Sequence, residues 1–166
     1  MDKLYLYSPW RLDYLLSEKD KGCIFCHKPD ACDDARHLIL HRSSHCYVIM
    51  NLYPYNNGHL MVVPFQHVPS LSGLSTTVLQ DLFHTVQLTE QVLFSVYHCE
   101  GMNIGINIGK AAGAGVDEHV HVHLVPRWAG DGNFMSVIGG ERVIPEAFED
   151  AYTRLKAAFE EMNCSP

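Results

Sequence analysis

The chain has 166 residues, 47% of them hydrophobic and 19% charged, and carries a formal net charge of −7. That length suits one domain, residues 1–166, with a sizeable core. The acidic balance excludes recognition of nucleic acid through a generally basic surface, so an anionic ligand has to be held by a local site. No window approaches a membrane-spanning length, and the opening Met1-Asp2-Lys3-Leu4-Tyr5-Leu6 lacks the apolar core of an export signal. A cytoplasmic protein without a membrane partner is therefore expected, with its six cysteines reduced rather than paired in a disulfide framework.

Residues 1–20 alternate aromatic and polar groups around Pro9 and read as an extended arm, with Tyr5, Tyr7 and Trp10 available for packing. Residues 21–126 read as the core. It opens on Cys23-Ile24-Phe25-Cys26, the spacing of half a zinc site or of a redox pair. Asp30 to Arg36 is polar and turn-like. Leu38-Ile39-Leu40-His41 and Cys46-Tyr47-Val48-Ile49-Met50 then form two short strands of a hairpin, and a turn-rich loop from Leu52 to Gly58 leads into the apolar strand His59 to Pro64. From an N-cap at Ser75 to His98, the residues Val78, Leu79, Leu82, Phe83, Val86, Leu93, Val96 and Tyr97 recur mainly at helical spacing, and Gly101 is expected to end that helix. Met102 to Ile108 alternates into a further strand, followed by a loop of glycine and alanine from Gly109 to Gly115. Residues 127–166 read as a C-terminal extension. It ends in a helix from about Pro145, with Phe148, Ala151, Tyr152, Leu155, Phe159 and Met162 on one side. Consecutive strands that outnumber the helices place the chain in the α+β class, with an antiparallel sheet of about five strands, one long helix and a C-terminal helix.

The most informative stretch is Glu118-His119-Val120-His121-Val122-His123-Leu124-Val125-Pro126-Arg127. On a strand, His119, His121 and His123 would share one face and Val120, Val122 and Leu124 the other, one face for chemistry and one for packing. Two chemistries stay open for such a row: a His-x-His pair of metal ligands, or one imidazole acting as nucleophile or base and oriented by its neighbours. The loop before it could offer backbone N–H groups to a phosphate, because small residues let the main chain come close. It is not a Walker loop, since Lys110 is followed by alanine and no helical pattern follows at once.

These residues resemble a known family. His119-Val-His121-Val-His123-Leu-Val, preceded by Asn107 and a glycine-rich turn, is similar to the signature of the histidine triad nucleotide hydrolases and transferases. The continuation Pro126-Arg127-Trp128-Ala129-Gly130-Asp131, with Asn133-Phe134-Met135 and Val137-Ile138-Gly139-Gly140, resembles the Fhit-like branch that includes bacterial diadenosine tetraphosphate hydrolases and phosphorylases. So do Ser8-Pro9-Trp10-Arg11 and the segment from Asn51 to His59. The resemblance implies that His121 is the nucleophile forming a nucleotidyl-imidazole and that His123 bonds phosphate oxygens or the leaving group. It places Asn51 on a ribose hydroxyl and Asn107 on phosphate; His59, beside the same loop as Asn51, is expected to line the site, and Gly113, Ala114 and Gly115 to meet the phosphates through their backbone. It further implies a structural zinc ion held by Cys23, Cys26, His67 and His119, no organic cofactor, an adenine dinucleotide as substrate, and a homodimer.

One departure is visible. Where many members carry a glutamine and a hydroxyl residue before the motif, this chain reads Gly113-Ala114-Gly115-Val116, as in the bacterial phosphorylase-like members, and those side-chain contacts to phosphate are missing. The expected activity is cleavage of dinucleoside polyphosphates. A purine nucleoside phosphoramidase or a nucleotidylyl-sulfate hydrolase would use the same triad on a smaller substrate, and a nucleotide-binding signalling module would carry it chemically idle. A three-histidine metalloenzyme is disfavoured, because a metal on all three imidazoles would consume the nucleophile. Cys32, Cys46, Cys99 and Cys164 are expected as buried small residues.

Overall fold

The computed structural model describes residues 22–30, 33–132 and 144–163. The N-terminal arm, Asn133 to Gly140, Cys32 and Cys164 lie outside the described residues. Two short helices, α1 (Ile24–Asp30) and α2 (Asp34–His37), precede the hairpin β1 (Ile39–Arg42) and β2 (Cys46–Met50). Next come β3 (Leu60–Pro64), the long helix α3 (Thr76–Tyr97), β4 (Gly101–Gly105), β5 (Val122–Arg127) and the C-terminal helix α4 (Phe148–Asn163). The strands form one antiparallel sheet in the order β1-β2-β3-β5-β4. The expected class and strand number hold.

Both faces of the sheet are covered, which is why β2 and β3 read as unbroken apolar runs rather than alternating ones. Leu40, Cys46, Val48, Met50, Leu60, Val62, Val120, Val122 and Leu124 pack against Leu82, Leu93, Leu155 and Phe159 of the two long helices. On the opposite face a smaller cluster of Ile39, Tyr47, Ile49, Met61 and Val63 gathers around Phe25 of α1. His123 stands opposite Met61 across the β3–β5 ladder, so the imidazoles share their face with apolar side chains. The expected division into one packing face and one chemical face is therefore too simple. The β5 ladder begins only at Val122; His119 to His121 approach it as irregular chain, yet the alternation persists across them.

The long helix is capped as its sequence suggests. The Ser75 hydroxyl accepts the Val78 N–H at 3.3 Å, satisfying a donor that has no partner inside the helix. Buried Val78, Leu82, Val86 and Leu93 face the sheet together with Thr85 and Thr89, and the Thr89 hydroxyl donates to the Thr85 carbonyl at 2.7 Å. Phe83, expected on the apolar face, is instead 50% exposed. The helix ends at Tyr97 with His98 in the left-handed region, its N–H bonded to the Phe94 carbonyl. Gly101, expected as the terminator, opens β4. That edge strand stops at Gly105, short of the predicted Ile108, because the chain then turns toward the glycine-rich loop. Asp34 to His37, expected as turn, closes into one helical turn capped by Asp33. Cys46 and Cys99 are buried as expected.

Candidate active site and metal cluster

The hydrogen bond from the Val120 N–H to the Val68 carbonyl, 2.7 Å, ties the segment after β3 to the approach of β5 and sets His67 beside His119. Cys23, just before α1, and Cys26, in its first turn, bring two thiols to the same place. Cys23 Sγ lies 3.3 Å from His119 Nδ1, Cys26 Sγ lies 3.4 Å from His67 Nδ1 and 3.6 Å from His119 Nδ1, and the two imidazole nitrogens are 3.3 Å apart. All four ligand atoms fall within 4.8 Å of one another. A tetrahedral zinc site with ordinary Zn–S and Zn–N bonds has edges of roughly 3.3–3.8 Å, so this donor set fits such an ion in kind and in spacing. His119 Nε2–H donates to the Pro64 carbonyl at 2.8 Å, which leaves Nδ1 unprotonated and turned toward the cluster, the tautomer that a metal ligand needs.

His121 is buried, 4% exposed, and donates its Nδ1–H to the carbonyl of His119 at 2.9 Å. Its lone pair is therefore on Nε2. Burial lowers its pKa against the opposing pull of that carbonyl, so the ring is neutral near pH 7. One flank meets Phe25, with ring centroids 4.8 Å apart, and another meets His123 at 4.7 Å.

His123 is oriented by a chain of contacts that begins at the backbone. The Tyr55 N–H donates to His59 Nδ1 at 3.0 Å, which places the His59 proton on Nε2. That atom lies 3.0 Å from His123 Nδ1, so His123 accepts there and carries its own proton on Nε2. Burial first, then the neighbouring imidazoles, lower His59 to about 3 and His123 to about 4. The site thus holds one imidazole with a free Nε2 lone pair and, against it, one with an Nε2–H to give. Asn51 is joined to this group: its Nδ2 lies 3.3–3.4 Å from both His59 ring nitrogens, and its Oδ1 accepts the Tyr53 N–H at 2.9 Å.

A family model described as HIT domain matches residues 34–130 of this chain. An AP-4-A phosphorylase of Mycobacterium tuberculosis (strain ATCC 25618 / H37Rv) is 38% identical over 154 residues, spanning 87% of this chain and 78% of the relative. This chain belongs to the HIT domain family. The bis(5'-nucleosyl)-tetraphosphatase [asymmetrical] of Schizosaccharomyces pombe is 39% identical over 93 residues, spanning 56% of the HIT protein described here and 50% of the yeast protein. In three dimensions the chain is similar to a Zn-bound histidine triad family protein from Mycobacterium smegmatis, with a TM-score of 0.68 at 28% identity over 86% of this chain and 96% of the other.

Within this HIT domain, the structure brings His59, His119, His121 and His123 together with Cys23, Cys26 and His67, and attaches Asn51 through His59. The glycine- and alanine-rich loop is less open than its composition suggests. The N–H groups of Ala112, Gly113 and Ala114 turn back onto the carbonyls of Gly109 and Lys110, at 3.0–3.5 Å. Of the three predicted loop residues, Gly115 alone has no such inward bond among the described residues. Asn107 is half-buried between β4 and this loop. Three contributors escaped the sequence reading: Phe25 against His121, the Tyr55 N–H that orients His59, and the Pro64 carbonyl that orients His119. Phe25 is the one with a visible signal, an aromatic ring between two cysteines. A further network, from Asn56 to Asp131 at 2.8 Å and from Asp131 to Arg127 at 2.6 Å, anchors the Asn51–His59 loop to the end of β5. The Arg127 guanidinium holds the Asp131 carboxyl well below the usual carboxylate range.

Proposed function

We propose that this HIT protein cleaves dinucleoside polyphosphates of the diadenosine tetraphosphate class through a covalent nucleotidyl-His121. The observation that carries the reading is the 2.9 Å bond between His121 Nδ1–H and the His119 carbonyl, which aims a neutral Nε2 lone pair outward and tolerates the charge that the ring gains on phosphorylation. In the first step the Nε2–P bond forms as the bond from phosphorus to the bridging oxygen breaks. The leaving polyphosphate takes the electron pair, and the Nε2–H of His123 bonds the developing oxyanion. In the second step water or inorganic phosphate attacks the same phosphorus and restores the imidazole, yielding a nucleoside monophosphate or diphosphate respectively. Asn51 and Asn107 serve the ribose and the phosphates in this reading, with Gly113, Ala114 and Gly115 shaping the phosphate loop.

The Cys23, Cys26, His67 and His119 cluster would hold a structural zinc ion, whose contribution is a closed tetrahedral tie between α1, the segment after β3 and the catalytic segment. The reduced thiols this needs accord with a cytoplasmic protein. A homodimer is supported by the β4 edge, which has no strand on its outer side among the described residues and where Ile104 is 45% exposed and Ile108 beyond it 48% exposed. Among the described residues no helix is long and apolar enough to cross a membrane. The deciding experiment is product analysis with diadenosine tetraphosphate, with and without inorganic phosphate. Adenosine diphosphate containing the added phosphate identifies a phosphorylase and adenosine monophosphate a hydrolase; intact substrate in both arms rejects the reading.

A further inference from the structure

We propose that Phe25 is a positioning residue for His121, holding the plane of the nucleophilic imidazole and making the metal cluster and the nucleophile one mechanical unit. The inference rests on the reading of His121 as nucleophile. Its starting point is where α1 puts its side chains. Of the residues between the two thiols, Ile24 points outward at 46% exposure, whereas Phe25 is buried at 3%. Two attachments keep it there. The Phe25 carbonyl accepts the hydroxyl of Tyr47, a fully buried side chain, at 2.7 Å, and the flanking Cys23 and Cys26 belong to the cluster with His67 and His119.

From that anchored position the Phe25 ring meets both neighbours on the catalytic segment. It lies 4.8 Å from the His121 ring, tilted by 52°, and 5.6 Å from the His119 ring in an edge arrangement. The bond from His121 Nδ1–H to the His119 carbonyl, the one hydrogen bond of this ring among the described residues, fixes the tautomer but holds the ring at one edge, leaving it able to rock about that bond. Phe25 on one flank and His123 at 4.7 Å on another remove that freedom. In-line attack on phosphorus needs a narrow approach angle, so an unbraced Nε2 spends less time aligned even when substrate binds normally. The expected signature is a loss in kcat with KM preserved.

Phe25→Leu keeps an apolar side chain but removes the flat ring. Ile49→Val trims the same cluster at a residue that faces Ile39 and Met61 across the sheet. In Phe25→Leu, zinc content stays at the wild-type value, KM for diadenosine tetraphosphate stays within about twofold, and kcat falls ~10–100-fold. In ¹⁵N-histidine-labelled protein the low-field Nδ1–H resonance of His121, sharp in the wild type, broadens. Ile49→Val matches the wild type in each measurement. Phe25→Met, which fills more of the space, is read in the same way if Phe25→Leu does not accumulate as folded protein. A wild-type kcat or a sharp resonance in the Phe25 variant overturns the proposal, as does a kcat that added zinc restores or an equal loss in Ile49→Val. If wild-type protein forms no adduct on His121, the nucleophile assignment fails, while the resonance separately reports whether Phe25 braces the ring.

Discussion

His119 serves His121 through its carbonyl, which accepts the Nδ1–H at 2.9 Å, while its own ring turns away to face Cys23 at 3.3 Å. One residue therefore joins two sites: its side chain belongs to the Cys/His cluster and its main chain orients the proposed nucleophile. A disturbance at the thiols can reach the chemistry within a single residue, so stability and activity should be linked at this point in the fold.

Cys23→Ser tests that linkage from the metal side. A tetrahedral site that loses one ligand binds its ion far more weakly, and that binding energy is folding energy. The variant should lose at least about 2 kcal/mol, lowering the melting temperature by roughly 4–8 °C, and should contain less zinc by elemental analysis. Freshly purified, reduced wild-type protein without zinc, or a Cys23→Ser variant with unchanged melting, would remove the structural-zinc reading.

His121→Ala and His123→Ala should separate by size of effect. Without His121 there is no second imidazole whose free Nε2 occupies the same position, so turnover should vanish while nucleotide binding, measured by calorimetry, persists. Without His123 the nucleophile remains and one donor to the developing oxyanion is lost, a loss of ~10²–10³ in kcat. Turnover by His121→Ala comparable to wild type would sink the covalent mechanism.

The pair His59 and His123 predicts how stability depends on pH. Both titrate below the ordinary 6.5 in the folded chain, at about 3 and about 4, so between those values and 6.5 the unfolded chain takes up protons that the folded chain refuses. Their contribution is full above pH 6.5 and declines as the pH falls toward 4, by at most about 1.4 kcal/mol per pH unit for each group. Urea denaturation at pH 7.5 and pH 5 measures the slope, which should flatten in His59→Leu. Equal slopes in the two proteins would show that His59 is not the group refusing the proton.

Gly58→Ala probes the loop between Asn51 and His59. Gly58 has φ of +73°, and a Cβ there would lie 2.6 Å from the Tyr97 ring. That ring cannot swing clear, because its hydroxyl donates to Glu146 at 3.0 Å and Arg154 lies over its face at 4.6 Å. Left-handed backbone costs an alanine about 1–2 kcal/mol before the clash is counted. The variant should melt several degrees lower and show a raised KM where it remains folded, since Asn51 and His59 lie at the two ends of the displaced loop.

Much of this molecule was legible in local pattern, because the period of a helix and the alternation of a strand are properties of neighbouring residues. The Ser75 cap, the buried face of α3, the hairpin and the histidine row followed from spacing, and the resemblance carried by the motifs brought Cys23, Cys26, His67 and His119 together as one expected set. The misreadings at Phe83, Gly101 and the end of β4 are of another kind. Whether an apolar position on a helix is covered, or where a strand loses its ladder, depends on which element packs across from it, and spacing along the chain carries no record of that. The same holds for the working tautomers. That His121 bears its proton on Nδ1 and His123 on Nε2 depends on the His119 carbonyl and on a relay from Tyr55 through His59, contacts that exist only after loop and strand have closed on one another. The histidines could be counted along the chain, but the atom that each presents to a substrate is set by folding, because a neutral imidazole has two tautomers close in energy until a neighbour's hydrogen bond selects one of them.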